Sequence, residues 1–189
     1  MNKYYGIIIS LIAGLSTLIG YFTIYIKGNK DKIIGKSLSF SGGVMITLSI
    51  IDLIPSSIDS LSKNLSFVLS IVYSFISLLL GYIISKKINL KNNNKLYNVG
   101  IISMIGIIIH NIPEGIVTYI LSTMNLKLGI LFSIAIILHN IPEGIGISIP
   151  IYYSTYNKKK AFLYTFISGI SEPFGALISM IFLHHYINN

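Results

Sequence analysis

His110-Asn111-Ile112-Pro113-Glu114-Gly115 lies deep inside an apolar stretch, and the same six residues return as His139-Asn140-Ile141-Pro142-Glu143-Gly144. Each copy puts an imidazole, an amide and a carboxylate where hydrocarbon should surround the chain. In each copy the histidine and glutamate stand four residues apart, and the asparagine and glutamate three apart. On a helix all three therefore share one face. The 29-residue offset is the length of one helix, one short turn and the way back. Antiparallel neighbours carrying these motifs would aim two imidazoles and two carboxylates into one small volume, as a divalent-metal site inside a bilayer requires.

The residues around the motifs describe the solvent. Of 189 residues, 53% are hydrophobic and only 11% charged, against about a quarter charged in a soluble domain. Mean hydropathy is +0.76. Apolar runs long enough to cross about 30 Å of hydrocarbon occur six times, over roughly 4–26, 33–58, 66–85, 97–121, 128–152 and 161–186. The expected fold is all-α, a single integral-membrane domain of six transmembrane helices. Short loops make consecutive helices expected antiparallel neighbours. The first run lacks a small-residue cleavage site and is read as a retained helix rather than a signal peptide.

The net charge of +8 comes from fourteen lysines and no arginine. They lie between the apolar runs, so they read as topology signals and not as a nucleic-acid surface. Lys27, Lys30, Lys32, Lys36, Lys86, Lys87, Lys91, Lys95, Lys158, Lys159 and Lys160 fall on one side, and Lys3, Lys63 and Lys127 on the other. Eleven against three puts the lysine-rich side in the cytoplasm and the N-terminus outside. Tyr4, Tyr5, Tyr25 and Tyr152, near span ends, read as interfacial anchors. The wealth of Ile, Asn and Lys suits an AT-rich bacterial genome.

Depth places the motifs. At 1.5 Å per residue, His110 lies about 18–20 Å along the fourth span and His139 about 16 Å along the fifth in the opposite sense. Glu172 lies about 16 Å along the sixth. Each glutamate costs about 2.5–3.5 kcal/mol at a helix centre if unpaired, and no lysine lies near it in sequence. A dication or protons must supply the missing charge. Without cysteine, the donors are nitrogen and oxygen, which suits zinc, iron(II), manganese or cobalt. Asn111 and Asn140 offer amide oxygens to a second, more oxygen-rich position.

Pro113, Pro142 and Pro173 remove hydrogen bonds from the carbonyls of Ile109, Leu138 and Gly169 and predict kinks that line a pathway. Gly115 and Gly144 predict a close approach of the fourth and fifth spans. A single such motif would equally suit a buried histidine bonded to its own carboxylate; two copies with Glu172 at equal depth favour metal. Asp52, before Pro55, reads as an interfacial acid or part of an ion entrance, and His184 and His185 as interfacial residues.

These motifs resemble the ZIP family of zinc- and iron-transporting membrane proteins, in particular its bacterial branch. The stretch Ser168-Gly169-Ile170-Ser171-Glu172-Pro173-Phe174-Gly175-Ala176 is similar to the family's sixth helix, and Ala13–Gly20 and Ser41–Met45 are similar to its first two. The resemblance implies a two-metal centre. His110, Glu114, His139 and Glu143 would form the principal site; Asn111, Asn140 and Glu172 would form the adjoining one, with Glu114 and Glu143 bridging. It implies transport rather than catalysis. Divalent cations, zinc foremost with iron(II), manganese, cobalt and cadmium as alternatives, would move across the cell membrane into the cytoplasm. The ions would be cargo and no cofactor would be resident. The family has eight membrane helices against six here, so the chain reads as a truncated version, or as a short protein that completes its scaffold as a homodimer. The rival readings are a membrane di-iron oxidase or desaturase, which needs more histidines than the four present, and a metal-binding fragment that does not transport.

Overall fold

Asparagine side chains begin most of the helices. A computed structural model describes residues 4–88 and 93–182, and in it Asn29, Asn94, Asn125 and Asn157 each accept hydrogen bonds from backbone N–H groups one turn ahead, at 2.9–3.3 Å. Ser66 does the same for Leu69 at 3.4 Å. These caps satisfy donors that have no partner inside the helix. They also explain why the helices that begin at Lys30, Lys95, Leu126 and Lys158 start two or three residues before the apolar runs: the cap and the first polar residues belong to the helix but not to the hydrophobic segment.

Among the described residues the helices are α1 (Tyr4–Tyr25), α2 (Lys30–Ser62), α3 (Phe67–Lys87), α4 (Lys95–Met124), α5 (Leu126–Thr155) and α6 (Lys158–Phe182), all six long and apolar enough to cross a membrane. No strand occurs among the described residues. Lys3, Lys91, His184, His185 and the expected end of the sixth span at 186 lie outside them. Asn125 alone separates α4 from α5. Tyr156 closes α5 in the left-handed region, at φ 50°, a conformation that ends a helix.

Two helices are not uniform. α1 is interrupted at Ser16 and finishes in a 3-10 turn over Phe22–Tyr25. There Ser16, Thr17 and Thr23 return their hydroxyls to carbonyls three residues back, competing with the helical ladder. α2 contains a π turn over Ser49–Leu53, just ahead of Pro55. Asp52 lies in this turn and accepts from Ser56 Oγ at 3.1 Å in an exposed position. The prolines do not break their helices: Pro113, Pro142, Pro150 and Pro173 all sit inside continuous helix.

Small residues choose the neighbours. α1, α4, α5 and α6 pack together, and chain-adjacent pairing holds only in part. α1 packs on α4, α5 and α6 rather than on α2. The first half of α2 lies along α5, and its second half packs on α3, where Ser57 Oγ and Ser74 Oγ are 2.8 Å apart. α3 carries bulky apolar side chains around its circumference and stays largely exposed. The glycine expectation is corrected too. A Cβ on Gly115 would overlap the Glu172 carbonyl of α6, and one on Gly144 would overlap the Thr17 carbonyl of α1. These residues therefore bring α4 against α6 and α5 against α1, not α4 against α5. Gly14 and Gly169 do the same for α1 and α6. Without a hydrophobic drive between helices in lipid, close approach of backbones is the main source of packing.

At the lysine-rich end, Tyr21, Ile24, Ile107, Ile147, Ile149 and Ile151 form the apolar core. Lysines and tyrosines close that end: Lys30 Nζ donates to Tyr156 Oη at 2.9 Å, and Lys158 and Lys160 lie 4.5 and 4.6 Å above the rings of Tyr25 and Tyr97.

Candidate metal centre

His110, Asn111 and Glu114 project from α4, His139, Asn140 and Glu143 from α5, and Glu172 from α6, at the height where the four inner helices cross. The two imidazoles meet one carboxylate oxygen. Glu114 Oε1 is 3.1 Å from His110 Nε2 and 3.0 Å from His139 Nε2, and the ligand atoms of these three residues all lie within 4.8 Å of one another. A tetrahedral cation with bonds of about 2.0–2.1 Å separates its ligand atoms by about 3.3–3.4 Å, so this spacing already approaches a coordination shell. Glu143 Oε1 stands 4.0 Å from His110 Nε2, at the margin of the same group.

The amides form a second group. Asn140 Nδ2 donates to the Ala13 carbonyl at 2.9 Å and to Glu172 Oε2 at 3.1 Å. Asn111 Nδ2 donates to the Ser168 carbonyl at 3.2 Å. With both nitrogens committed to the backbone of α1 and α6, the amide oxygens are left as acceptors.

The acceptors outnumber the donors. Asn111 Oδ1, Asn140 Oδ1, Glu114 Oε2, both oxygens of Glu143 and Glu172 Oε1 are buried without a hydrogen-bond partner, as is His139 Nε2 despite its closeness to Glu114. Glu143, Glu172 and both asparagines have no exposed surface. A buried unpaired acceptor costs about 1–3 kcal/mol, and more when charged. Six oxygens in that condition at one depth call for positive charge, and within 4 Å the carboxylates' cationic neighbours among the described residues are imidazoles alone.

His110 is 28% exposed and Glu114 14%. A cavity of about 420 Å³ opens between α2, α4 and α5 on the lysine-rich half. Leu38, Ser41, Val99, Ser103 and Gly146 line it, and Glu143 is the charged residue in its wall among the described residues. A larger groove of about 530 Å³ between α1, α4 and α6, walled by Ile7, Leu11, Ile112 and Phe174, is almost wholly apolar and offers a cation nothing.

The sequence pattern of the ZIP zinc transporter family matches residues 85–187. Zinc transporter ZupT of Streptococcus mutans is 38% identical over an alignment covering 100% of this chain and 78% of the relative. The chain belongs to the ZIP family. The ZupT zinc transporters of Chlorobium luteolum and Oceanobacillus iheyensis are each 35% identical, over 98% and 100% of this ZIP chain and 78% and 79% of their own lengths. No solved structure matches it. Its relatives are named as zinc transporters and not as enzymes, which leaves the di-iron oxidase reading without support. With bacterial relatives and six apolar helices, this ZIP chain is a multi-pass bacterial membrane protein, and metal transport is the family's activity.

Three features of the site were beyond sequence reasoning. The Ala13 and Ser168 carbonyls that orient the asparagines are backbone groups with no sequence signal. Ser41 faces Gly146 beside Glu143, a juxtaposition that depends on how α2 lies along α5. Spacing puts Ser168 one turn from Glu172, but that its hydroxyl is buried without a partner is decided by packing.

Proposed function

We propose that this chain moves divalent cations, zinc foremost, into the cytoplasm through a two-ion site at the bilayer midplane. His110, Glu114, His139 and Glu143 bind one ion; Asn111, Asn140 and Glu172 bind the other, with Glu114 and Glu143 bridging. The observation that carries this reading is the set of unpartnered, buried acceptors from three helices around two imidazoles. Carboxylates replace the hydration shell of the incoming ion, and the ion in turn cancels the charge that the bilayer centre penalises. The zinc preference rests on the names of the relatives; iron(II), manganese, cobalt and cadmium fit the same donors.

The cavity that ends at Glu143 supports release toward the lysine-rich, cytoplasmic side. Lipid is the expected partner of the exposed apolar side chains on α3, such as Phe75, Leu79 and Ile84.

Elemental analysis of detergent-purified protein tests the site. Wild type equilibrated with zinc and desalted should retain one or two ions per chain, and the Glu114→Ala/Glu143→Ala variant none. A folded wild type that retains no metal, or a variant that retains as much, would sink the proposal. Binding should also depend on pH. Ligating imidazoles must be neutral, and an imidazole ordinarily titrates near about 6.5. Affinity should therefore be flat above about pH 7.5 and fall below about 6.5 by up to tenfold per pH unit for each histidine; an unchanged zinc titration at pH 5.5 would count against both.

Release has its own test. A Cβ at Gly146 would come within 2.6 Å of Ser41 Oγ, so Gly146→Val should narrow the cavity below Glu143. Zinc uptake into cells should fall at least tenfold while zinc bound per purified chain stays the same. Uptake at the wild-type rate would remove the cavity from the route.

A further inference from the structure

We propose that the hydroxyl of Ser168 is a further ligand of the oxygen-rich cation position, beside Asn111, Asn140 and Glu172. The inference rests on the two-ion reading above and adds a residue to it. Ser168 lies one turn before Glu172 on α6, so both side chains leave the same face of the helix. Its side chain is fully buried, and its Oγ has no hydrogen-bond partner. Its carbonyl holds Asn111 Nδ2 at 3.2 Å, which ties the Asn111 amide to position 168.

Several other buried hydroxyls bond their own helix, while Ser10, Thr118, Ser122 and Ser179 are unpartnered as Ser168 is. Thr165 donates to the Ala161 carbonyl at 2.9 Å, Thr17 to Gly14 at 2.8 Å, and Ser133 to Gly129 at 2.7 Å. Ser171 likewise spends its hydroxyl on the Ser168 carbonyl. Each of these satisfies itself on its own helix, as serine and threonine do in apolar surroundings. What sets Ser168 apart is its place: its unbonded hydroxyl is one turn from Glu172 on the same helix, and its own carbonyl holds Asn111. A cation would satisfy it together with the unpaired oxygens of Asn111, Asn140 and Glu172. The hydroxyl oxygen would offer such an ion a neutral lone pair. The donor adds no charge, and it makes this position harder than the imidazole one, which favours manganese or iron(II) there more than at the histidines.

Cadmium titration tests this in a chain that has no cysteine of its own. Ser168→Cys introduces a single thiol, and thiolate coordination is read directly as a ligand-to-metal charge-transfer absorption. Ser179→Cys, at an equally buried and unpartnered hydroxyl further along the same helix, is the control. The expected result is a thiolate band for Ser168→Cys that saturates within two equivalents of cadmium, and none for Ser179→Cys. Ser168→Ala should bind the first cadmium as wild type does and the second at least tenfold more weakly. Two ions bound by Ser168→Cys without the band, equal bands in both cysteine variants, or wild-type affinities in Ser168→Ala would each overturn the assignment while leaving the two-ion site standing. A wild type that takes up no cadmium would instead remove the site itself and this inference with it.

Discussion

Gly115→Ala should destabilise the protein by about 3 kcal/mol or more, at the upper end for one added methyl group in a packed interior. The methyl would overlap the Glu172 carbonyl, and Gly175 on the facing helix is held as closely to the Ile112 carbonyl. Backbone meets backbone on both sides, so no side chain can swing aside, and α4 and α6 must separate. That separation also moves Glu172 relative to Asn140, now 3.1 Å apart. Bound zinc should therefore fall together with the thermal midpoint of the detergent-solubilised protein. Gly43 and Gly106 supply the comparison: a Cβ at either meets nothing within 4 Å. Alanine there should be neutral or stabilising by up to about 1 kcal/mol through helix propensity. Equal melting of Gly115→Ala and Gly43→Ala would show that the crossing is not as close as described.

Glu143→Ala should weaken zinc binding by more than about 100-fold, beyond the 10–100-fold typical of losing a residue that merely supports a ligand. Both Glu143 oxygens are buried and free of hydrogen bonds, with the His110 imidazole 4.0 Å from one of them, so they are available to a bound ion. Asn140→Ala should cost less. It removes a neutral oxygen and releases two hydrogen bonds, one to Ala13 and one to Glu172, but leaves every carboxylate in place. Competition titrations against a chelator rank the two variants. Equal losses would take the bridging role away from Glu143. Glu143→Gln refines the comparison, since it keeps the shape and one oxygen while removing the charge. It should fall between the other two.

Much of this was legible in the order of residues. Six apolar runs became six helices because length and hydropathy act locally, and in hydrocarbon only a helix satisfies its own backbone. The candidate ligand types were legible because His110 and Glu114, or His139 and Glu143, reach the same helix face by spacing alone. Helix ends were less so: a polar cap such as Asn94 belongs to the helix, yet looks like loop in a hydropathy trace.

Tertiary structure decided what spacing cannot. Gly115 was visible as a place of close approach, but whether it met α5 or α6 depended on which helix offered a backbone there, and Glu172 and Ala176 of α6 did. The asparagines were visible as candidate ligands, but the Ala13 and Ser168 carbonyls that engage their nitrogens come from helices remote in sequence. Ser168 itself differs from Ser171 only in what surrounds it. Helical periodicity tells a residue which face it shares, because that follows from dihedral angles a few positions long. Which atoms remain unpaired on that face follows from contacts more than fifty residues away in sequence, and those exist only once the helices have packed.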